Sequence, residues 1–302
     1  MNTEDLKFRQ KLTIDEKVLV TRERIREFVR WCWKNSKNPA VSFSGGWDST
    51  VLWNIAKYDF PNMTAVFSNT GLEFPEIVSF VREHENVIEV RPKKPFHKVI
   101  KEYGWPIPSK MNAKKIRVIR DSDNPRNKNM RNLYLTGYNR NGQYSARWKL
   151  PNKWMKLVDA PFMVSDRCCD ILKKEPIKRV QKQHNTAPII GTMASDSLNR
   201  RHDYLRNGCN IFAGNDPKSR PMSFWSKDDV GRFIDAHGIK YCPVYDMGYE
   251  RTGCIYCGFG VHLEKEPNRF QMLRRTHPNL HEYIIHKLGM ANVLDYIGVK
   301  WF

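Results

Sequence analysis

Long apolar runs are absent from this sequence of 302 residues. Its apolar stretches, such as Ile189-Ile190 and residues 209–213, fall far short of the roughly 20 residues that a membrane-spanning helix needs. Residues 1–17 are charged and lack the apolar core of a secretory signal. We therefore expect no membrane segment and a cytoplasmic protein.

Acidic side chains are scarce as well. The chain has 32 Asp and Glu against 51 Lys and Arg, which gives a net charge of +19 and a pI near 9.7. This excess favours a polyanionic partner, with nucleic acid first, although a generally basic soluble surface is the alternative. The excess is concentrated, because residues 104–160 hold 13 Lys or Arg and only three acidic residues. With 40% hydrophobic residues, the composition excludes wholesale disorder and the disulfide-knot class.

Strand and helix patterns alternate along most of the chain, which predicts βαβ units and a mostly parallel sheet with helices on both faces. We expect strands at 40–43, 63–68, 86–90 and 188–191, and helices at 22–35, 48–58, 74–85, 95–103, 196–206, 227–236 and 268–296. The predicted segments are an N-terminal helical segment (1–37), an α/β domain (38–103 and 160–262), a basic insertion (104–159) and a helical C-terminal region (263–302).

The insertion combines basic residues with aromatic ones. Residues 133–136 and 144–148 flank Asn139-Arg140-Asn141-Gly142, a pattern that predicts a β-hairpin. Basic residues between aromatics suit a surface that follows phosphates and stacks on bases. A solvated charged loop, with the aromatics in a small core of their own, is the alternative. These aromatics are Trp105, Tyr134, Tyr138, Tyr144, Trp148 and Trp154.

A glycine pair follows the first predicted strand, in Ser44-Gly45-Gly46-Trp47-Asp48-Ser49-Thr50. These glycines can adopt positive φ, so that backbone N–H groups at a helix N-terminus form a cradle for pyrophosphate. Ser44 and Ser49 can donate hydrogen bonds, and Asp48 can cap the helix or help to hold Mg²⁺. The loop lacks the Gly-Lys-Ser/Thr ending of a Walker A motif, which disfavours a P-loop kinase or GTPase. A plain strand-to-helix turn is the alternative.

The glycine-rich loop resembles the Ser-Gly-Gly-x-Asp-Ser motif of the PP-loop ATP pyrophosphatases. Three further segments are similar to the phosphoadenosine phosphosulfate (PAPS) reductase-like branch of that family: residues 69–76, residues 191–201, and Pro221-Met222 with Trp225, Asp229 and Val230. The resemblance covers about 38–103 and 160–262 and implies a Rossmann-like, adenine nucleotide alpha hydrolase-like fold. It implies that ATP or a related adenine nucleotide contacts Ser42, Ser44, Gly45, Gly46, Asp48, Ser49, Thr50, Asn69, Thr70, Gly71, Glu73, Gly191 and Ser197.

Seven cysteines, an odd number, argue against a disulfide framework. Cys168-Cys169 and Cys254-x-x-Cys257 supply four thiols for a [4Fe–4S] cluster or for zinc. A cubane spreads its ligands over several ångströms and suits adjacent cysteines better than one tetrahedral ion, so we favour the cluster over zinc or unliganded thiols. The arrangement also resembles the cluster motif of adenylylsulfate reductases and of DndC-like phosphorothioation ATP pyrophosphatases. Cys32, Cys209 and Cys242 are expected to be packing residues.

One feature of the reductases is missing. PAPS and adenylylsulfate reductases use a nucleophilic cysteine near the C-terminus, whereas the last cysteine here is Cys257. We therefore expect no thiol that attacks a sulfonyl sulfur.

The preferred hypothesis is an enzyme that forms AMP and pyrophosphate from ATP and transfers sulfur, or a related group, to nucleic acid through an adenylated intermediate. Asp48, Lys173, Arg200 and Arg201 are the candidate catalytic residues, and the basic ones would neutralise phosphate charge together with Mg²⁺. Both DNA and tRNA remain open as substrates, and the phosphorothioation resemblance implies a sulfur donor such as a cysteine desulfurase. The alternatives are a PAPS or adenylylsulfate reductase with its thiol supplied in trans, and a non-catalytic nucleic-acid-binding regulator.

Overall fold

A six-stranded sheet organises the computed structural model, which describes residues 2–214 and 216–302. Met1 and Asn215, which belong to the predicted segments 1–37 and 160–262, lie outside the described residues. The strand order is β3-β2-β1-β4-β6-β5, and all neighbours are parallel except β5 and β6. The strands are β1 (Asn38–Ser42), β2 (Thr64–Ser68), β3 (Val87–Val90), β4 (Thr186–Ile189), β5 (Asn210–Ile211) and β6 (Lys218–Ser219). The predicted Rossmann-like α/β fold is confirmed.

Helices connect the parallel strands, and further helices precede the first strand and follow the last one in the chain. Several of the N-termini have polar caps, as at α2, where Thr13 and Glu16 form a capping box. The helices are α1 (Thr3–Lys11), α2 (Ile14–Lys34), α3 (Trp47–Asp59), α4 (Pro75–Arg82), α5 (Phe96–Tyr103), α6 (Lys110–Arg120), α7 (Lys128–Thr136), α8 (Glu175–Gln183), α9 (Leu198–Asn207), α10 (Lys227–His237), α11 (Arg269–Thr276), α12 (Pro278–Glu282) and α13 (Met290–Tyr296). Within the described residues, no helix has the length and apolarity to cross a membrane.

The strand order reverses its direction between β1 and β4. The chain runs outward from β1 through β2 to β3 and then returns to place β4 on the other side of β1. In a doubly wound sheet, the loops at the carboxyl ends of two such strands diverge and leave a crevice in which ligands bind. The glycine-rich loop follows β1 and Gly191 follows β4, so both belong to this crevice.

The chain forms two compact units, of which the first contains the sheet. This unit comprises Met1–Asn69, Glu73–Arg91 and Pro176–Thr252. Its core includes the fully buried side chains of Phe28, Trp53 and Trp225. A buried ion pair joins Lys17 Nζ to Asp229 Oδ2 at 2.7 Å, with both side chains no more than 3% exposed.

The second unit comprises Thr70–Leu72, Pro92–Glu175 and Gly253–Phe302. Here the basic segment 104–159 packs with the C-terminal region. Lys156 Nζ donates to the Tyr296 carbonyl oxygen at 2.7 Å, and Tyr296 Oη donates to the Lys156 carbonyl oxygen at 2.9 Å. Trp154 is buried against His262, with ring centroids 4.8 Å apart. The basic segment therefore contributes to a hydrophobic core.

The hairpin prediction within this segment is wrong. Leu133 to Thr136 form the last turn of α7, which ends at Gly137 with φ +88°, a left-handed cap. Tyr134 is buried, and this packing overrides the strand propensity of the segment. Among the described residues, only a single antiparallel bridge between Tyr138 and Tyr144 remains of the predicted pairing.

The C-terminal region also differs in detail from the continuous helix expected at 268–296. α11 ends before His277, and Gly289, with φ +84°, separates the next helical stretch from α13. The region is helical but consists of short segments, because a positive φ cannot be part of a right-handed helix.

Candidate functional site

The glycine-rich loop ties the end of β1 to the start of α3 through hydroxyl groups. Ser49 Oγ donates to the Gly46 carbonyl oxygen at 2.9 Å and accepts from Ser44 N at 3.1 Å. Ser44 Oγ lies 3.1 Å from Ser49 Oγ, and the Ser44 residue is exposed. α3 begins at Trp47 and has no side-chain cap, so the Asp48 and Ser49 N–H groups in its first turn can face an anion at the loop.

Both glycines of the loop are required by close neighbours. Gly45 has φ +71°, and a Cβ there would lie 2.9 Å from Val81 Cγ2. A Cβ at Gly46 would lie 2.7 Å from Thr252 Oγ1 and 3.2 Å from Tyr245 Oη. The loop thus presents backbone and hydroxyl groups where other residues would place side chains, which fits a phosphate group.

Tyr245 holds the first residue of α3. Its hydroxyl accepts a hydrogen bond from Trp47 N at 2.9 Å and lies 3.4 Å from Thr252 Oγ1. The Tyr245 ring stacks on the Trp47 ring, with centroids 4.7 Å apart at 28°. These contacts fix the direction in which the helix N-terminus faces.

Asp48 is half-buried within a cluster of charges of both signs. Burial and then the Asp196 carboxylate raise the pKa of Asp48 to about 6, against the opposing effect of Lys227, Arg200 and Arg251. Mg²⁺ in nucleotide sites is held by one or two carboxylates plus phosphate oxygens. The pair Asp48 and Asp196, surrounded by cations that suit phosphate oxygens, fits this donor set.

The segment after β4 meets the same loop. A Cβ at Gly191 would lie 2.9 Å from the Asp48 carbonyl oxygen, so these two backbones are in close approach. Arg200 forms an ion pair with Asp196, and its backbone N–H donates to Ser197 Oγ at 3.3 Å. The Ser197 hydroxyl therefore serves as the cap of α9, and Arg201 follows in the first turn of that helix.

Other predicted nucleotide contacts are less accessible. Thr50 is fully buried and Ser42 is half-buried in β1. Asn69, after β2, is buried and donates from Nδ2 to Glu89 Oε1 at 2.8 Å. Asn69 and the half-buried Glu73 belong to the first unit, together with the loop.

Thr70 and Gly71 belong to the second unit. Gly71 has φ +76°, and Leu72 N donates to Thr70 Oγ1 at 3.2 Å. The Leu72 carbonyl oxygen accepts from Ile255 N at 2.8 Å, which joins this turn to the Cys-x-x-Cys motif. The structure thus places Thr70 and Gly71 beside the cysteines.

The four predicted cluster ligands, Cys168, Cys169, Cys254 and Cys257, line one cavity of about 20 Å³ in the second unit. In the part of the chain that the structure describes, none of the four forms a disulfide bond. The Cys-x-x-Cys motif forms a turn in which Cys257 N donates to the Cys254 carbonyl oxygen at 3.1 Å. The remaining walls are mainly apolar, formed by Leu72, Phe96, Pro106, Leu172 and Tyr256.

The thiols of the vicinal pair interact with each other. A hydrogen bond from Cys168, together with the positive charges of Lys110 and Lys173, lowers the pKa of Cys169 to about 6, while the pKa of Cys168 is raised by its hydrogen bond with Cys169 and by burial. Four soft thiol donors at one cavity fit an iron–sulfur cluster or zinc by donor type. In residues 2–214 and 216–302, no group of three or more His, Cys, Asp or Glu is already arranged to hold a metal ion. The fit rests on the donor set and not on present spacing.

Lys173 lies at this cavity, in the second unit. Its predicted role at phosphate groups remains a prediction. What the structure shows is a cation beside Cys169, where its charge favours the thiolate.

The basic segment offers fewer stacking residues than its composition indicated. Trp105, Tyr134 and Trp154 are buried, which agrees with the alternative of a small aromatic core. Tyr138 and Tyr144 are 50% and 56% exposed, and their ring centroids are 5.2 Å apart. The two tyrosines flank the turn that carries the exposed Arg140, and exposed basic residues continue at Lys110, Lys114, Arg126, Lys128, Arg147, Lys153 and Lys156.

Some residues of the site were not identified from the sequence. Tyr245, Thr252 and Arg251 reach the loop from a segment about 200 positions away, and no local pattern marks them. Asp196 and Lys227 could have been identified from the sequence, because each is adjacent to a serine that caps a helix at the carboxyl end of the sheet.

Comparison with known proteins finds a matching family model and matching reductases. The phosphoadenosine phosphosulfate reductase domain matches residues 38–258. The chain is 25% identical over 266 residues to adenosine 5'-phosphosulfate reductase of Lysinibacillus sphaericus, covering 85% of this chain and 90% of that protein. It is 22% identical over 262 residues to phosphoadenosine 5'-phosphosulfate reductase of Vibrio campbellii, covering 85% and 81%.

Coverage is lower for an uncharacterised protein of Methanocaldococcus jannaschii. The identity is 23% over 266 residues, or 85% of this chain, but the chain spans about half of that protein (49%). Among solved structures, PAPS reductase from Candida auris in a phosphate complex has a TM-score of 0.43 at 16% identity, covering 84% of this chain and 96% of that chain.

Proposed function

Since the chain belongs to the phosphoadenosine phosphosulfate reductase domain family, we propose that it is an ATP pyrophosphatase that activates an oxygen atom of a nucleic acid for replacement by sulfur. The family supports an enzyme of the adenine nucleotide alpha hydrolase-like superfamily. The finer assignment rests on the loop and on the distribution of basic and thiol groups.

The arrangement of the glycine-rich loop is the observation that carries this proposal. The polyphosphate of ATP would lie on the Asp48 and Ser49 N–H groups in the first turn of α3, with the Ser44 hydroxyl as a further donor. Asp48 and Asp196 would hold Mg²⁺, which supplies positive charge to the phosphates when bound. Arg200 would neutralise charge on the departing pyrophosphate, as cationic side chains do in phosphoryl-group chemistry.

The reaction has two steps. An oxygen of the acceptor attacks the α-phosphorus of ATP, and the bond to the β-phosphate oxygen breaks, which releases pyrophosphate. A hydrosulfide-level sulfur then forms a bond to the acceptor atom while the bond to the adenylated oxygen breaks and AMP departs. The sulfur would come from a donor such as a cysteine desulfurase, whose persulfide is cleaved by an external thiol reductant to give hydrosulfide and a disulfide.

The acceptor is proposed to bind to the exposed basic residues of segment 104–159. Tyr138 and Tyr144 offer two adjacent aromatic faces for stacking, and Arg140 lies at the turn between them. Base stacking on aromatic side chains is worth roughly 1–3 kcal/mol per base. Phosphate contacts make binding strongly dependent on salt.

The four thiols are proposed to hold a [4Fe–4S] cluster, with zinc as the runner-up. After anaerobic reconstitution, the expected result is about four iron and four sulfide per chain, with loss of most iron in Cys257→Ala and retention in the control Cys32→Ala. Stoichiometric zinc without iron would select the runner-up. Equal metal content in both variants and the wild type would contradict a site at these cysteines.

The test of activity is pyrophosphate release from ATP by anaerobically purified protein with DNA, with tRNA and with neither. Release should require one polymer and should fall at least 100-fold in Asp48→Ala. Asp228→Ala, which removes a 78% exposed carboxylate on α10, is the matched control and should retain activity. Polymer-independent release, or equal rates in both variants, would contradict the proposal.

The acceptor surface is tested separately by binding. Tyr138→Ala and Tyr144→Ala should each weaken single-stranded nucleic acid binding about 5- to 100-fold, in line with the stacking energy. Arg140→Gln should reduce the slope of log K against log salt by about 1. Lys57→Gln, on α3 in the first unit, is the control. Unchanged affinity in both tyrosine variants would exclude this surface.

A further inference from the structure

A second cavity lies in the first unit, lined by residues of the N-terminal helices and of the segment that leads from α9 into β5. Its volume is about 300 Å³. That is the lower end of the range for small-molecule pockets and far more than one water molecule needs. Three arginines line it, namely Arg9 from α1, Arg24 from α2 and Arg206 from α9.

Two of these arginines have buried donors without a partner among the described residues. Arg9 Nη1 and Arg24 Nε are shielded from solvent and meet no acceptor within hydrogen-bond geometry; the group that interacts with Arg9 is the buried Tyr204 hydroxyl, which also lacks a well-formed hydrogen bond. Leaving a charged N–H donor buried and unpaired is costly, about 1–3 kcal/mol or more. Two such donors at one cavity indicate that an acceptor belongs there.

The charge at the cavity is positive. Its lining carries the three guanidinium groups and one carboxylate, Glu27. The Glu27 carboxylate is already engaged, because it pairs with Arg24 Nη1 at 2.9 Å and accepts from Asn210 Nδ2 at 3.0 Å. Burial raises the pKa of the Cys209 thiol to about 11, so this lining residue adds no negative charge at neutral pH.

An aromatic ring forms part of the wall. Phe212 lines the cavity and is held by Phe28 and Trp31, whose ring centroids lie 6.2 Å and 5.6 Å from its own. A fixed aromatic face beside a cluster of guanidinium groups suits a ligand that has a phosphate group and an adjoining ring.

We propose that this cavity is a second anion site, separate from the glycine-rich loop, which binds the phosphate group of a small phosphorylated ligand through Arg9, Arg24 and Arg206. The planar forks of the arginines match the oxygens of a phosphate and can donate in pairs. The phosphate can be free orthophosphate or the phosphate of a mononucleotide, whose ring would then lie against Phe212.

Calorimetric titration with orthophosphate and with AMP tests the site in the full chain. The wild type should bind phosphate at the cavity, and Arg9→Gln, Arg24→Gln and Arg206→Gln should each lower that affinity at least tenfold. Arg30→Gln is the matched control, because Arg30 lies on the same helix as Arg24, is 62% exposed and is absent from the lining. Circular dichroism and thermal unfolding establish that each variant is folded.

ATP binding distinguishes the glycine-rich loop from the cavity. Affinity for ATP at the loop should be unchanged in the three arginine variants. AMP that binds the cavity more tightly than orthophosphate identifies a nucleotide ligand, whereas equal affinity identifies free phosphate. Adenosine should not bind there. The proposal is overturned if adenosine binds as tightly as AMP, or if all three variants match Arg30→Gln and the wild type in phosphate affinity.

Discussion

Replacement of Gly191 by alanine tests whether the approach of β4 to the glycine-rich loop sets nucleotide affinity. The added Cβ would lie 2.9 Å from the carbonyl oxygen of Asp48 and 3.2 Å from its carbonyl carbon. These are backbone atoms in the first turn of α3, so no side-chain rotation can relieve the contact. Gly191→Ala therefore has to displace the helix N-terminus that carries the phosphate donors.

The size of the effect follows from this distance. Ordinary contact begins at 3.4 Å, so the Asp48 carbonyl must move by about 0.5 Å. Overpacking of this kind costs about 1–3 kcal/mol. If half or more of that cost falls on the loop, ATP affinity decreases about 2- to 140-fold, since each 1.4 kcal/mol is a factor of ten.

The assay is equilibrium ATP binding combined with urea unfolding, on Gly191→Ala and on Gly231→Ala as the matched control. Gly231 lies in α10, where an added Cβ meets only Trp47 at 3.8 Å, an ordinary contact. The first variant should lose affinity and the control should keep it. An unchanged ATP dissociation constant in Gly191→Ala would refute the claim that this approach positions the loop.

Three further predictions concern stability and are measured by urea or acid unfolding. Gly231→Ala should raise the free energy of unfolding by about 0.5–1 kcal/mol, because glycine is disfavoured within a helix. Lys17→Met should lower it by about 1.5–3 kcal/mol, since it removes one charged partner of the buried Asp229, which keeps its contacts with Ser226 and Arg232; a loss below 1 kcal/mol would contradict the importance of the pair. The hydrogen bond from Arg82, together with further donors, lowers the pKa of Glu89 to about 2, so Glu89 stabilises the fold above pH 4.5 and this contribution is lost as the pH falls toward 2. Glu89→Gln should therefore show a shallower loss of stability over that range, and identical profiles would exclude Glu89 as a source.

Most of the fold could be predicted because short stretches of the sequence determine where its strands and helices form. β1, β2 and β4 are short and contain buried apolar residues such as Val41, Phe67 and Ile189, and the helices between them carry buried residues on the side that packs in the core. The loop at Gly45 and Gly46 was predictable for the same reason, because glycines at a strand-to-helix junction permit a positive φ. The hairpin prediction is wrong because the strand propensity of residues 133–136 is overridden by the burial of Tyr134 within a helix.

The parts of the site that could not be predicted depend on chain connectivity. Tyr245 and Thr252 contact the loop because the segment after α10 returns to the carboxyl end of the sheet. Nothing in their own sequence neighbourhood distinguishes them from packing residues. The convergence of Cys168 with Cys257 on one cavity was expected from donor chemistry, but the sequence did not indicate that Thr70 and Gly71 would be joined to it through Leu72.

The seven cysteines restrict the chemistry that this chain can perform with its own thiols. Cys32, Cys209 and Cys242 are at most 3% exposed, and burial raises the pKa of each to about 11, so at neutral pH they are protonated and shielded from a substrate. A nucleophilic thiol from this chain would have to come from the four at the cavity. A cluster bound by all four leaves none of them free, so cluster binding and thiol attack on a sulfonucleotide exclude each other within the chain. Loading the cluster should therefore abolish any sulfite release that the metal-free protein shows, unless a second protein supplies the thiol.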